Sequence, residues 1–113
     1  MTLKIRAREI GRIVVLDLEG SLRLGHSEDI FREQAQRLIN AGTTRVAINL
    51  ARLLDIDSSG IGLFVRTLSQ FQQAGGKCVF FAASEGVRSA LKMVRLEKIL
   101  DLTEDEWSAL AKF

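Results

Sequence analysis

The sequence from Leu53 to Gly62 reads LLDIDSSGIG, and a strand-like apolar run ends within it where a helical pattern begins. An Asp-Ser-Ser-Gly turn joins the two, so small hydroxyls lie at the positive end of the predicted helix, beside a carboxylate. A serine in that place has two possible roles. It can cap the helix, or it can accept a phosphoryl group and change which partner the surface fits.

Patterns on both sides of this stretch predict further strands and helices. Leu3, Ile5 and Ala7 alternate with charged residues, which is the period of a half-exposed strand. Gly11 and Arg12 predict a hairpin turn. The next predicted elements are a strand at 13–18, a loop at 20–25, a helix that Ser27 caps and Ala41-Gly42 ends, and a strand at 45–50. They are followed by a helix from after Asp57 to Gly75-Gly76, a strand at 77–83 and a helix that Ser84 caps. The last predicted elements are a short strand or extended piece at 99–102 and a helix that a capping box at 103–106 begins.

This order of elements predicts an α/β fold. The first two strands form a hairpin, and the later strands are separated by helices, so they should be parallel through right-handed crossovers. We expect a single domain over residues 1–113, with a mixed sheet of four to five strands and about four helices. A chain of 113 residues that is 47% hydrophobic and 27% charged can bury a core of that size.

The charge pattern bears on possible partners. The net charge is only +2, and no run of five like charges occurs, so neither nucleic acid nor an anionic membrane is an expected partner. No apolar stretch is long enough to span a bilayer, and the N-terminus alternates too strictly for a signal peptide, so we expect a cytoplasmic location. In the third helix, Arg88, Lys92 and Arg95 either meet a phosphate or form a solvated face.

The sequence offers little for catalysis or metal binding. Cys78 is the single cysteine and lies in an apolar run, which favours a buried structural thiol. His26 is the single histidine, without clustered ligands, and neither serine of the turn has a Gly-x-Ser-x-Gly elbow around it. The Gly60-Ile61-Gly62 segment lacks the third glycine of a dinucleotide site. We therefore expect neither an enzyme nor a cofactor or metal.

Over nearly its whole length the chain resembles the STAS family, and within it the bacterial anti-sigma factor antagonists. The resemblance depends on the opening hairpin and on four segments: LEG at 18–20, VAINL at 46–50, DSSGIG at 57–62 and GGK at 75–77. It implies that an anti-sigma factor, a serine kinase that uses ATP, phosphorylates the serine directly after the aspartate, which is Ser58. The unphosphorylated antagonist would bind the kinase and free the sigma factor. Phosphorylation would release it, and a metal-dependent serine phosphatase would restore it.

The resemblance also implies a partner-binding surface and a monomer. The surface residues are Asp57, Ser58, Ser59, Gly60, Ile61 and Gly62, with Ser21 and Arg23 from the first loop. Asp57 would orient the hydroxyl or contact the kinase, or else be a turn carboxylate facing water. Ser59 is the second candidate for phosphorylation, or a helix cap.

Two alternatives stay open beside this interpretation. The family often has an acidic residue where this chain has Arg23, so this side chain indicates a different partner surface, an arginine facing phosphate, or a solvated loop residue. The chain could also be a STAS subunit that is not phosphorylated, within a larger assembly such as a lipid transporter or a stress-sensing complex.

Overall fold

In the computed structural model, which describes residues 2–113, two strands open the chain, helices and strands then alternate, and three consecutive helices follow the last strand. Residue 1, the first residue of the predicted domain, lies outside the described part. The strands are β1 (Leu3–Ile10), β2 (Ile13–Leu22), β3 (Arg45–Ile56) and β4 (Lys77–Phe81). The helices are α1 (His26–Asn40), α2 (Ser58–Gln73), α3 (Glu85–Met93), α4 (Glu97–Leu100) and α5 (Glu106–Leu110). Between residues 2 and 113, no helix is both long enough and apolar enough to cross a membrane.

The four strands form one mixed sheet in the order β1-β2-β3-β4. β1 and β2 are antiparallel, while β2, β3 and β4 are mutually parallel. The predicted α/β class, the hairpin and the parallel strands are therefore confirmed. Because parallel strands end at the same edge of a sheet, the last residues of β2 and β3 lie side by side, with Leu22 paired to Ile56.

The core occupies both faces of the sheet, and the main part lies between the sheet and the longer helices. There Phe64 contacts two other buried rings, with centroid distances of 5.5 Å to Phe31 and 4.8 Å to Phe80. A smaller cluster on the opposite face joins the sheet to Ala109 of α5. β4 contributes to both clusters, which is why its sequence is almost continuously apolar.

Two strands are longer than the sequence predicts. β2 continues to Leu22 through residues predicted as loop, and β3 continues to Ile56 instead of ending at residue 50. The pairing of the two strands shifts register twice, and these irregularities let them stay together up to the sheet edge. Gly20 lies at the second shift with φ of 114°, and a Cβ there would meet the Thr2 carbonyl oxygen at 2.0 Å. That position marks a close backbone approach inside a strand rather than the start of a loop.

The predicted cap of α1 is wrong. The helix begins at His26 after Gly25, which makes no side-chain cap bond. The Ser27 hydroxyl instead accepts from the Arg23 N–H at 2.9 Å and donates to the Arg23 carbonyl at 2.8 Å. The predicted cap of α3 is confirmed, because the Ser84 side chain accepts from the Val87 N–H.

The C-terminal part also differs from expectation. The prediction of a short strand or extended piece at 99–102 is wrong, since residues 99 and 100 belong to the four-residue helix α4, which buries Leu100. Only one isolated bridge, between Thr103 and Phe81, extends the sheet there within residues 2–113. The predicted capping box is wrong as well, because Asp105 caps α5 by accepting from the Ser108 N–H at 2.8 Å. The extra short helix makes five helices in the described chain instead of about four.

Candidate functional site

The candidate site lies where β2 and β3 end and α2 begins. Strand pairing puts Ser21 opposite Asp55 and Leu22 opposite Ile56, and Asp57 then leads directly into α2. The structure therefore brings the first-loop residues of the predicted surface together with the Asp-Ser-Ser-Gly turn. This is the edge at which functional groups gather in α/β sheets.

Asp57 is the N-cap of α2. Its Oδ1 accepts from the Gly60 N–H at 2.9 Å, and its Oδ2 accepts from the Leu24 N–H, also at 2.9 Å. One carboxylate thus holds the start of α2 and the loop between β2 and α1. The expectation that Ser58 or Ser59 caps the helix is wrong, and so is the alternative of an Asp57 carboxylate that merely faces water.

The same contacts set the protonation of Asp57. Burial by itself would raise the pKa of Asp57, but hydrogen bonds from the Leu24 and Gly60 N–H groups and the positive charge of Arg23 lower it more. The net result is an Asp57 pKa below the ordinary value for this side chain. The group is therefore a carboxylate at neutral pH, and a negative charge stands beside Ser58.

The two serines are the first two residues of α2 and differ in accessibility. Ser58 is exposed to solvent, whereas Ser59 is half-buried. Since Asp57 is the cap, the Ser58 hydroxyl is not needed to start the helix. An enzyme that docks on this edge can reach Ser58 more easily than Ser59.

The two glycines of the turn differ in what surrounds them. A Cβ on Gly60 would lie 2.7 Å from Ile56 Cγ1 and 2.8 Å from the Leu22 carbonyl oxygen, so no side chain fits there. A Cβ on Gly62 would have only Arg66 Nη1 within 4 Å, at 3.5 Å. Ile61 is 7% exposed and belongs to the main core. Gly60 and Ile61 therefore shape this edge from below, while Gly62 leaves open space on it.

Arg23 is held by an ion pair that the sequence did not predict. Its Nη2 and Nε donate to the two carboxylate oxygens of Asp55 at 2.8 Å and 3.3 Å. The Arg23 guanidinium, and after it the Ser21 side chain, hold the pKa of Asp55 below its usual value. Ser21 itself is buried. The pair adds a neutralised, solvent-exposed patch to the edge that carries Ser58.

Leu24 is a second feature of this edge that the sequence did not reveal. Its side chain is 75% exposed, although its backbone N–H is fixed to Asp57. This large apolar side chain is held in water on the loop that Asp57 ties to α2, where a docked protein could bury it. Hydrophobicity alone could not have found it, since single exposed leucines are common.

The other chemically interesting side chains lie elsewhere. Cys78 is buried, and burial raises the pKa of its thiol well above the usual range. Lys92 and Arg95 line a groove with Glu97 and Lys98, and none of these four residues belongs to the Ser58 edge. Within residues 2–113, no group of three or more His, Cys, Asp or Glu side chains is placed to hold a metal ion.

Comparison with known proteins places this geometry in a family. The chain is 26% identical over 113 residues to the anti-sigma F factor antagonist of Paenibacillus polymyxa, covering 99% of this chain and 96% of that protein. An anti-sigma factor antagonist from Mycobacterium paratuberculosis has a similar structure, with a TM-score of 0.87 and 14% identity over 98% of this chain and 93% of its own.

A third similarity is to a protein solved in a modified state. The phosphorylated form of the Bacillus cell fate determinant SpoIIAA superposes with a TM-score of 0.74 and 23% identity, over 96% of this chain and 98% of that chain. These likenesses show a shared fold. The STAS domain family itself matches residues 4–109, which is nearly the entire sequence. The chain therefore belongs to the STAS domain family.

Proposed function

We propose that this chain is an anti-sigma factor antagonist that phosphorylation of Ser58 switches between two binding states. In the unphosphorylated state it binds an anti-sigma factor serine kinase and frees a sigma factor, and phosphorylation releases it. The observation that carries the proposal is that Ser58 is exposed at the start of α2 while Asp57 performs the capping. The antagonist names of its relatives support the same role.

The fold should tolerate the modification. A phosphoserine adds a charge of about −1.5 to −2 at neutral pH. Negative charge at the first turn of a helix interacts favourably with the helix dipole and with free backbone N–H groups. Ser58 is exposed, so the phosphate stays in water and displaces no core side chain. Phosphorylation should therefore leave the scaffold unchanged.

Phosphorylation of Ser58 should affect binding to a partner far more than it affects folding. A protein docked on this edge would have to remove water from the phosphate and from the neighbouring Asp57 carboxylate. Desolvating unpaired charges is costly, and two like charges side by side add repulsion. The phosphate would thus weaken the complex, and a metal-dependent serine phosphatase would restore binding by removing it.

In this role the chain is a substrate and a binding module, not an enzyme. Its partners are the kinase and the phosphatase, and it works as a cytoplasmic monomer without a cofactor. The rest of the docking edge around Ser58 consists of Asp57, Ser59, Gly60, Ile61, Gly62, Ser21 and Arg23. Gly60, Ile61 and Ser21 support it from beneath, since all three are buried.

The proposal can be tested with the kinase that co-purifies with the tagged chain. The purified pair is incubated with ATP, and peptides of wild type, Ser58→Ala and Ser59→Ala are compared by mass spectrometry. We expect the peptide that contains Ser58 to gain one phosphoryl group in wild type and in Ser59→Ala, and none in Ser58→Ala. Calorimetry should show that the phosphorylated chain binds the kinase at least about tenfold more weakly, a loss of about 1.4 kcal/mol.

Two results would contradict the proposal. One is modification of Ser59 in place of Ser58, and the other is equal affinity of the modified and unmodified chains for the kinase. If no kinase co-purifies and transport or stress-sensing proteins appear instead, the chain is a STAS subunit that is not phosphorylated.

A further inference from the structure

Gly62 is a bare position on the exposed side of α2 for which packing gives no reason. A side chain there would meet only the flexible end of Arg66, at an ordinary contact distance of 3.5 Å. Glycine inside a helix is destabilising relative to alanine, because it has more conformational freedom to lose on folding. Gly60 has a steric reason to be glycine, and Gly62 lacks one.

Arg66 fills the space that Gly62 leaves open. Its guanidinium lies over Gly62, so the side chain extends back toward the start of α2, as long side chains on helices commonly do. Ser58 is four residues before Gly62, and Gly62 is four residues before Arg66. Residues four apart are neighbours on a helix surface, about 5–6 Å apart between Cβ atoms. Arg66 thus reaches the turn directly after Ser58.

The charges around Ser58 make Arg66 the available cation. Arg66 is exposed and forms no ion pair with a carboxylate inside the described range 2–113. Arg23 is already engaged by Asp55. The carboxylate of Asp57, directly before Ser58, would repel a phosphate there, whereas the charge of Asp55 is neutralised by Arg23. An arginine fork binds phosphate oxygens through two parallel hydrogen bonds, more strongly than neutral donors do.

We propose that Arg66 binds the phosphate of phosphorylated Ser58 across the bare backbone of Gly62. This inference rests on the function proposed for Ser58 and specifies how the modified state is held. The cation offsets the repulsion between the phosphate and Asp57, so the modified edge is stabilised within the chain itself. Arg66 is then no longer free to pair with a carboxylate of the partner, which adds a second reason for release.

The test uses a chain with phosphoserine installed genetically at position 58, so that no kinase is needed. The second pKa of the phosphate is followed by ³¹P NMR during a pH titration, in the otherwise wild-type chain and with Arg66→Gln. Because a nearby cation favours the dianion, we expect Arg66→Gln to raise this phosphate pKa by about 0.5 unit. Arg66→Lys should restore part of the effect.

Two further variants test whether Arg66 reaches the phosphate across Gly62 and whether Arg66, not Arg23, is the cation that binds it. Gly62→Leu places a side chain between Arg66 and the phosphate, and should raise the phosphate pKa as Arg66→Gln does. Arg23→Gln is the control, and should move the phosphate pKa less, since Arg23 is paired with Asp55. An unchanged phosphate pKa in Arg66→Gln, or a larger change in Arg23→Gln, overturns the inference. Failure of the kinase assay would count against the proposed function alone, because this titration does not involve the kinase.

Discussion

The carboxylate of Asp57 accepts a hydrogen bond from the backbone N–H of Leu24 at 2.9 Å, across 33 residues of sequence. Its second oxygen caps α2 through Gly60. A single side chain therefore joins the loop after β2 to the helix after β3 and holds the Leu24 backbone beside the start of α2. Arg23 is held on the same edge by Asp55.

Removing that carboxylate should be costly. Asp57→Ala loses the helix cap and leaves the Leu24 N–H without its acceptor, so we expect a loss of about 1–3 kcal/mol in the free energy of unfolding. Ser59→Ala is the control and should change it by less than about 0.5 kcal/mol. Urea denaturation measures both variants. A greater loss of unfolding free energy in Ser59→Ala than in Asp57→Ala would show that Ser59, not Asp57, caps α2.

The same residue should make stability depend on pH in the acid range. The folded chain lowers the pKa of Asp57, so this group stabilises the fold fully above its unfolded pKa, about 3.9. That contribution is lost as the pH falls from the unfolded pKa through the folded pKa of Asp57. In this range the unfolded chain binds a proton at Asp57 more readily than the folded chain does. Asp57→Asn cannot titrate. The difference in unfolding free energy between wild type and Asp57→Asn should therefore shrink between neutral pH and about pH 3. A difference that stays constant would show that the Asp57 pKa is not lowered.

The two glycines of the turn should respond in opposite directions to alanine. Gly60→Ala forces a Cβ against Ile56 and the Leu22 carbonyl, so we expect a loss of about 1–3 kcal/mol in unfolding free energy. Gly62→Ala meets only an ordinary contact and gains helix propensity, so we expect a gain of about 0.5–1 kcal/mol. Thermal and urea denaturation of the pair provide the comparison, and equal effects of the two substitutions would contradict this account of the turn.

Leu24 should matter for partner binding and hardly at all for folding. Its side chain is 75% exposed, so Leu24→Ala should leave the unfolding free energy within about 0.5 kcal/mol of wild type. If the Ser58 edge docks on a kinase, the same variant should weaken the complex about tenfold, as expected when the partner buries the Leu24 side chain. Trp107→Ala is the matched control, since Trp107 is 84% exposed on α5 and lies outside the Ser58 edge. A loss of affinity in Trp107→Ala alone would place the docking surface elsewhere.

Local sequence patterns predict most of the architecture. The alternation from Leu3 to Ala7 and the turn at Gly11 predict the hairpin, and the apolar run at β4 predicts a strand covered on both faces. The ends of β2 and β3 could not be predicted, since they depend on register shifts between strands that are far apart in sequence. The segment at 99–102 was too short to separate a buried helical turn from a strand.

The sequence indicated the turn at which the candidate site lies, but not the contacts within it. The Asp-Ser-Ser-Gly turn marks the helix start, yet Asp57 and both serines can all cap a helix, and only the backbone geometry selects Asp57. The Arg23–Asp55 pair joins residues 32 apart in sequence and arises from the pairing of Ser21 with Asp55. Such contacts depend on tertiary structure, and no local pattern reveals them.

The small cluster behind the sheet has its own consequence. α5 has five residues, too few to be stable alone, yet it shields Val15, Ala47, Val79 and Phe81 from water, and Arg8 bonds to its Glu106. A chain that stops before α5 would keep the Ser58 edge but expose an apolar sheet surface. Such a fragment should self-associate through that surface, and partner binding measured with it would include this self-association as well as the proposed effect of phosphorylation.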